Sequence, residues 1–119
     1  MLFRSMKEMT GITATMLDSM VFLNRGDHFA AVPLPLDAQL SPIFGLCAGD
    51  LDGDGREDIF ASQNFFAVDA ETARYDGGRS VWLKGDGRGG FASVPGQESG
   101  LLIYGEGRGA ALCDYDGRP

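Results

Sequence analysis

Asp50, Asp52, Asp54 and Asp58 stand at positions 1, 3, 5 and 9 of one short turn, Asp50-Leu51-Asp52-Gly53-Asp54-Gly55-Arg56-Glu57-Asp58. Glu57 adds a fifth acid, and within the turn only Arg56 opposes them. Carboxylates held a few ångströms apart repel, by about 1 kcal/mol per pair in bulk water and by more as the dielectric falls. A hard cation removes that repulsion. Calcium takes about six to eight oxygen ligands in flexible geometry. Gly53 and Gly55 let the backbone curl so that alternate side chains converge. The backbone carbonyl of Arg56, at position 7, completes the predicted ligand set of Asp50, Asp52, Asp54, Arg56 and Asp58. An all-oxygen set disfavours zinc and copper. Magnesium demands a stricter octahedron and suits the set less well. An EF-hand needs a bidentate Glu at position 12, where this chain has Ala61, and a following helix, where Ile59-Phe60-Ala61-Ser62 reads as a strand. The bland alternative is a solvated acidic turn that holds no ion.

The turn recurs. Asp114 lies 64 residues after Asp50, and the same offset carries Asp52 onto Asp116 and Gly45 onto Gly109. Position 5 of that second turn is Arg118, so a second calcium site within these residues is not expected. A hairpin-like element also recurs: Val21 to Phe29 resembles Val81 to Phe91, and each precedes a Val-Pro pair, Val32-Pro33 and Val94-Pro95. Two motifs in the same order at nearly equal separation indicate a structural repeat.

The elements that must position the acidic turn read as strands. Short apolar runs bounded by glycine and aspartate cover Ile12–Leu17, Ser19–Asn24, Phe44–Ala48, Ile59–Gln63, Ser80–Lys84 and Phe91–Val94. The last two flank a glycine-rich hairpin loop. Between Gln63 and Arg79 runs a longer connection, with one helical turn predicted at Asp69–Arg74 and a tight turn at Tyr75–Gly78. The fold class is therefore all-β. A period near 64 residues with about four strands per unit fits a partial β-propeller of about two blades. Residues 44–95 make one complete unit, while 1–43 and 96–119 are partial units whose open edges need covering.

Composition sets the outer limits. The 119 residues carry 17 acidic and 10 basic side chains, a formal net charge of -7, which opposes nucleic acid and anionic membranes as partners. With 44% hydrophobic and 23% charged residues the chain belongs with globular sequences, and its length allows one domain at most. Eighteen glycines imply many tight turns. Phe29 to Leu36, broken by Pro33 and Pro35, falls far short of the roughly 18 apolar residues a membrane span needs. Met1 to Thr10 has mixed charges and no apolar leader core. Cys47 and Cys113 form neither a disulfide framework nor a metal motif, and each reads as a buried thiol in an apolar run.

On these residues the chain resembles the FG-GAP/VCBS repeat family, the calcium-binding blades of integrin-α-like β-propellers. Asp50 to Asp58 matches the family's DxDxDGxxD loop at every acidic position, and Leu83 to Phe91 is similar to its glycine-rich hairpin ending in phenylalanine. Gly107 to Asp116 is similar to the blade entry of bacterial secreted proteins of the ASPIC/UnbV type, related to cartilage acidic protein. The resemblance spans roughly Ser19 to Pro119. It implies an extracellular or cell-envelope location, calcium as a structural ion, further blades of a longer parent chain as neighbours, and adhesion or binding of a protein or carbohydrate ligand. The shortened second loop and the low blade count depart from the family pattern.

Other motifs yield to plainer readings. Arg25-Gly26-Asp27 spells an integrin-recognised tripeptide but falls where the first hairpin turns. Gly85, Gly87 and Gly90 match GxGxxG, yet a strand follows where a dinucleotide site needs a helix. His28, the single histidine, has no nucleophile beside it. Phe22, Phe29, Trp82 and Phe91 occupy equivalent repeat positions and read as core, and Phe65-Phe66 as packing residues. The chain is thus expected to be a binding scaffold and no enzyme. The alternative is a segment of a secreted propeller hydrolase or lyase whose catalytic residues lie elsewhere. A thrombospondin-type calcium array is disfavoured, since such arrays are cysteine-rich with tandem loops.

Overall fold

A computed structural model describes residues 10–115 and 117. The N-terminal stretch through residue 9, and Asp116, Arg118 and Pro119 of the second acidic turn, lie outside the described residues. Strands dominate, as the alternating apolar runs require. In chain order they are β1 (Met20–Asn24), β2 (Phe29–Pro33), β3 (Ile43–Gly49), β4 (Asp58–Gln63), β5 (Val81–Gly85) and β6 (Phe91–Val94). A 3₁₀ turn at Leu36–Gln39 and a single helical turn, α1, at Gly96–Ser99 are the only helical pieces among the described residues. No described helix is long and apolar enough to cross a membrane.

The strands form two antiparallel sheets. β1 and β2 make a two-stranded hairpin, with Phe22 opposite Ala31 and Asn24 opposite Phe29. β3 to β6 form a four-stranded meander in sequential order. Its register sets Gly49 against Asp58, Ile59 against Leu83, Phe60 against Trp82, and Gly85 against Phe91. A strand's side chains alternate between faces, so Ile59, Ala61, Val81 and Leu83 gather on one side. Ala61, Val81 and Leu83 are buried there with Ala38, and Leu34, Ile43, Ile59 and Phe91 pack around them. The opposite face of β3 and β4 meets the C-terminal segment. Gly107 N–H donates to the Gln63 carbonyl at 2.8 Å, and Gly45 lies directly against the backbone of Gly109.

Buried Asn64 locks this arrangement. Its side chain accepts from Gly78 N–H at 2.9 Å and donates to the carbonyls of Gly78 and Gly105, tying the β4–β5 connection to the C-terminal segment. Phe65 packs on Phe44 with ring centroids 5.6 Å apart, and the Arg108 guanidinium sits over both rings. Phe65 is thus a packing residue.

Four local expectations are corrected. Ile12 to Leu17 is no strand: its alternation has no partner to pair with, and Ile12 and Leu17 are exposed. Asp69 to Arg74 holds only a hydrogen-bonded turn, Thr72 N–H to the Asp69 carbonyl. Of the four aromatics expected in the core, Phe22 and Phe29 are exposed, at 61% and 68%, on a hairpin with no third strand among the described residues, Trp82 is half-buried on the face opposite the core, and only Phe91 packs against it. Cys113 is exposed and lies outside any strand, while Cys47 on β3 is half-buried.

Candidate metal centre

The acidic turn joins β3 to β4 at one end of the meander, where Gly49 and Asp58 close the ladder. Its backbone wraps around Asp50. Asp50 Oδ1 accepts from the N–H groups of Gly53 at 2.7 Å and Asp54 at 3.0 Å, and Oδ2 from Gly55 at 2.8 Å. Gly53 and Gly55 adopt φ of 77° and 82°, the left-handed region that favours glycine. Asp52 accepts from Asp54 N–H, and Asp54 from Arg56 N–H. The carboxylates are thus aimed by the chain that carries them.

Asp58 differs from the rest. It is fully buried, and its oxygens accept from Trp82 Nε1–H at 3.0 Å, Gly85 N–H at 2.9 Å and Leu51 N–H at 3.3 Å. A buried carboxylate is tolerated only when so satisfied.

Three of the predicted ligands converge. Asp50, Asp52 and Asp58 each offer an oxygen within 4.8 Å of the other two. Asp54 stands outside this triad and turns to Lys84, whose ammonium lies 3.2 Å from Asp54 and also bonds Asp52. Arg56 is tied to Asp54 through its N–H and, at 3.9 Å, its guanidinium. The hydrogen bonds that Lys84 donates to Asp52 and then Asp54 hold its pKa above the ordinary value, against partial desolvation. Desolvation raises the Asp54 pKa, but the Lys84 hydrogen bond, the Arg56 N–H and both cationic charges together lower it.

Lys84 and Trp82 are the residues the sequence reading missed. They alternate with buried Val81 and Leu83 on β5, so both project from the face opposite the core toward the acidic turn. The available signal was an alternating strand ending in glycine, but its neighbour depends on the β4–β5 register.

The donor set suits a hard cation. The triad offers only carboxylate oxygens, and four aspartates face two cationic side chains. Full use of Asp52 and Asp54 by an ion requires Lys84 to move aside. Of the remaining motifs, Arg25-Gly26-Asp27 lies in the exposed β1–β2 turn, and His28 pairs with Asp27 at 2.5 Å. The GxGxxG loop leads into β6. No family model, curated protein or solved structure matches this chain.

Proposed function

We propose that this chain is a calcium-binding β-propeller repeat segment of an extracellular or cell-envelope binding or adhesion scaffold. The observation that carries this reading is the convergence of Asp50, Asp52 and Asp58 at a strand–turn–strand joint of a four-stranded meander. Calcium would be held by these three carboxylates, with Asp54 and the Arg56 carbonyl as further oxygen donors, and would supply structural charge neutralisation rather than chemistry. Ion binding is then coupled to folding, because the unfolded chain holds no preformed site. Exposed Phe22, Phe29, Phe44 and Leu46 support neighbouring blades or a protein or carbohydrate ligand as covering partners.

The deciding experiment is thermal unfolding by circular dichroism in millimolar calcium and then in excess chelator. The reading expects a clear rise in melting temperature with calcium, lost in Asp52→Ala and reduced in Asp54→Ala. Equal melting of the wild-type chain in both conditions would sink it.

A further inference from the structure

At the end of the meander away from the acidic turn, a cavity of about 320 Å³ opens where β4 ends, β5 begins and β6 ends. It is built from residues the metal centre does not use. Its polar lining comes from Asp37, Gln63, Arg79, Ser80 and Ser93, and its apolar lining from Leu40, Leu101 and Leu102.

The polar groups are oriented in advance. Gln63 is fully buried, and its side-chain amide donates to the Asp37 carbonyl at 2.9 Å, which fixes the amide plane. Ser80, also buried, accepts from Gln63 N–H through Oγ, which leaves its own O–H to donate. Ser93 O–H donates to the Asp37 carboxylate, which keeps acceptor capacity for further donors. Arg79 carries the one cation of the lining. Its guanidinium lies over the Tyr104 ring, 5.4 Å from the centroid, and forms no ion pair with a carboxylate among the described residues. That contact uses the guanidinium face and leaves N–H groups to donate. An uncommitted Arg beside prepared hydroxyl and amide groups is an arrangement for a carboxylate attached to a hydroxylated body.

We infer that this cavity binds a small hydroxylated carboxylate of the uronic-acid class. The carboxylate lies on Arg79, the hydroxyls on Asp37, Gln63 and the two serines, and a C–H face against Leu40 and Leu102. The volume lies near the low end of the roughly 300–1,000 Å³ range of ligand pockets, which fits one sugar ring.

The test is titration of the full chain with glucuronate and with glucose by calorimetry, both in millimolar calcium and in chelator, with circular dichroism showing a folded chain, so that the calcium reading can fail without deciding the outcome. Glucuronate is expected to bind at least about tenfold more tightly than glucose, the loss typical of one charge-assisted hydrogen bond. Arg79→Gln should erase that preference. Arg79→Lys should keep part of it, because the charge survives and the planar fork does not. Arg25→Gln, which removes a cation from the β1–β2 turn outside the cavity lining, should bind glucuronate like the wild type. Absence of glucuronate binding, equal binding of the two sugars, or an unchanged preference in Arg79→Gln would each overturn the inference.

Discussion

The Trp82 indole N–H donates to the buried carboxylate of Asp58 at 3.0 Å, across 24 residues of sequence. The same carboxylate accepts from Gly85 N–H, at the end of β5, and Leu51 N–H, inside the acidic turn. Asp58 therefore joins the turn, strand β5 and the glycine hairpin in one hydrogen-bonded node.

That node should be visible as stability in chelator. Trp82→Phe leaves Asp58 Oδ2 with only the long bond from Leu51, and a buried polar group losing its partner costs about 1–3 kcal/mol. Asp58→Ala strands several donors at once and should cost more. Denaturant unfolding of both variants without calcium checks the order. If Asp58→Ala unfolds like the wild type in chelator, Asp58 acts only through a metal.

Lys84 acts as a tethered cation at the acidic turn. Removing it as Lys84→Met has two opposite consequences. Without calcium, Asp52 loses its cation, Asp54 keeps only the Arg56 guanidinium at 3.9 Å, and the melting temperature falls. With calcium, no ammonium competes, and apparent affinity should rise a few-fold, the modest scale of exposed ion pairs. Calcium titration followed by Trp82 fluorescence reads the second effect, because the indole touches Asp58. Equal affinity in wild type and variant would mean that Lys84 does not occupy the ion's ground.

The readable parts of this molecule are those in which neighbours in sequence are also neighbours in space. The Asp50–Asp58 turn, the β1–β2 and β5–β6 hairpins and the strand after the turn are local, and turn glycines mark their ends. Lys84 and Trp82 reach Asp52 and Asp58 over 32 and 24 residues, so their roles exist only once β4 and β5 are in register. Repeat equivalence placed Phe22, Phe29, Trp82 and Phe91 in the core together, but equivalent sequence does not supply an equivalent neighbour: among the described residues β5 has β4 beside it and β1 has only β2, and Trp82 turns from the core to Asp58. Ile12 to Leu17 failed for the same reason. That Asp50 and Asp52 converge with Asp58 while Asp54 stays outside is set by three-dimensional placement and not by spacing, since Lys84 bonds both Asp52 and Asp54.

Gly45 marks where the C-terminal segment meets the sheet. A Cβ built there would lie 2.7 Å from Gly109 Cα and 2.5 Å from Ser62 Oγ. Backbone cannot retreat as a flexible side chain can, so Gly45→Ala should cost about 1–3 kcal/mol, the usual range for overpacking. Gly109→Ala is the matched control, since a Cβ there meets nothing within 4 Å. Denaturant midpoints should fall for the first and hold for the second. Equal midpoints would show that the segment does not press on β3.

Acid should loosen the β5–β6 hairpin through Asp86. Its Oδ1 accepts from the N–H groups of Arg88 at 2.6 Å and Gly90 at 2.9 Å, closing the glycine loop around a charge. These bonds, Arg88 N–H first and Gly90 N–H second, hold the Asp86 pKa below its ordinary value of 3.8, against partial desolvation. The folded value is therefore the lower one. The unfolded chain takes up the proton first as pH falls, so the stabilisation is fully present above the unfolded value. It is lost as pH drops through the folded value. Asp86→Ala should thus be less stable than the wild type at pH 7, and the gap should narrow as pH falls below 3.8 and through the lower folded value. Chemical denaturation of both proteins in chelator across that range measures the gap. A gap that stays constant with pH would mean that the loop is held by its glycines and not by the Asp86 charge.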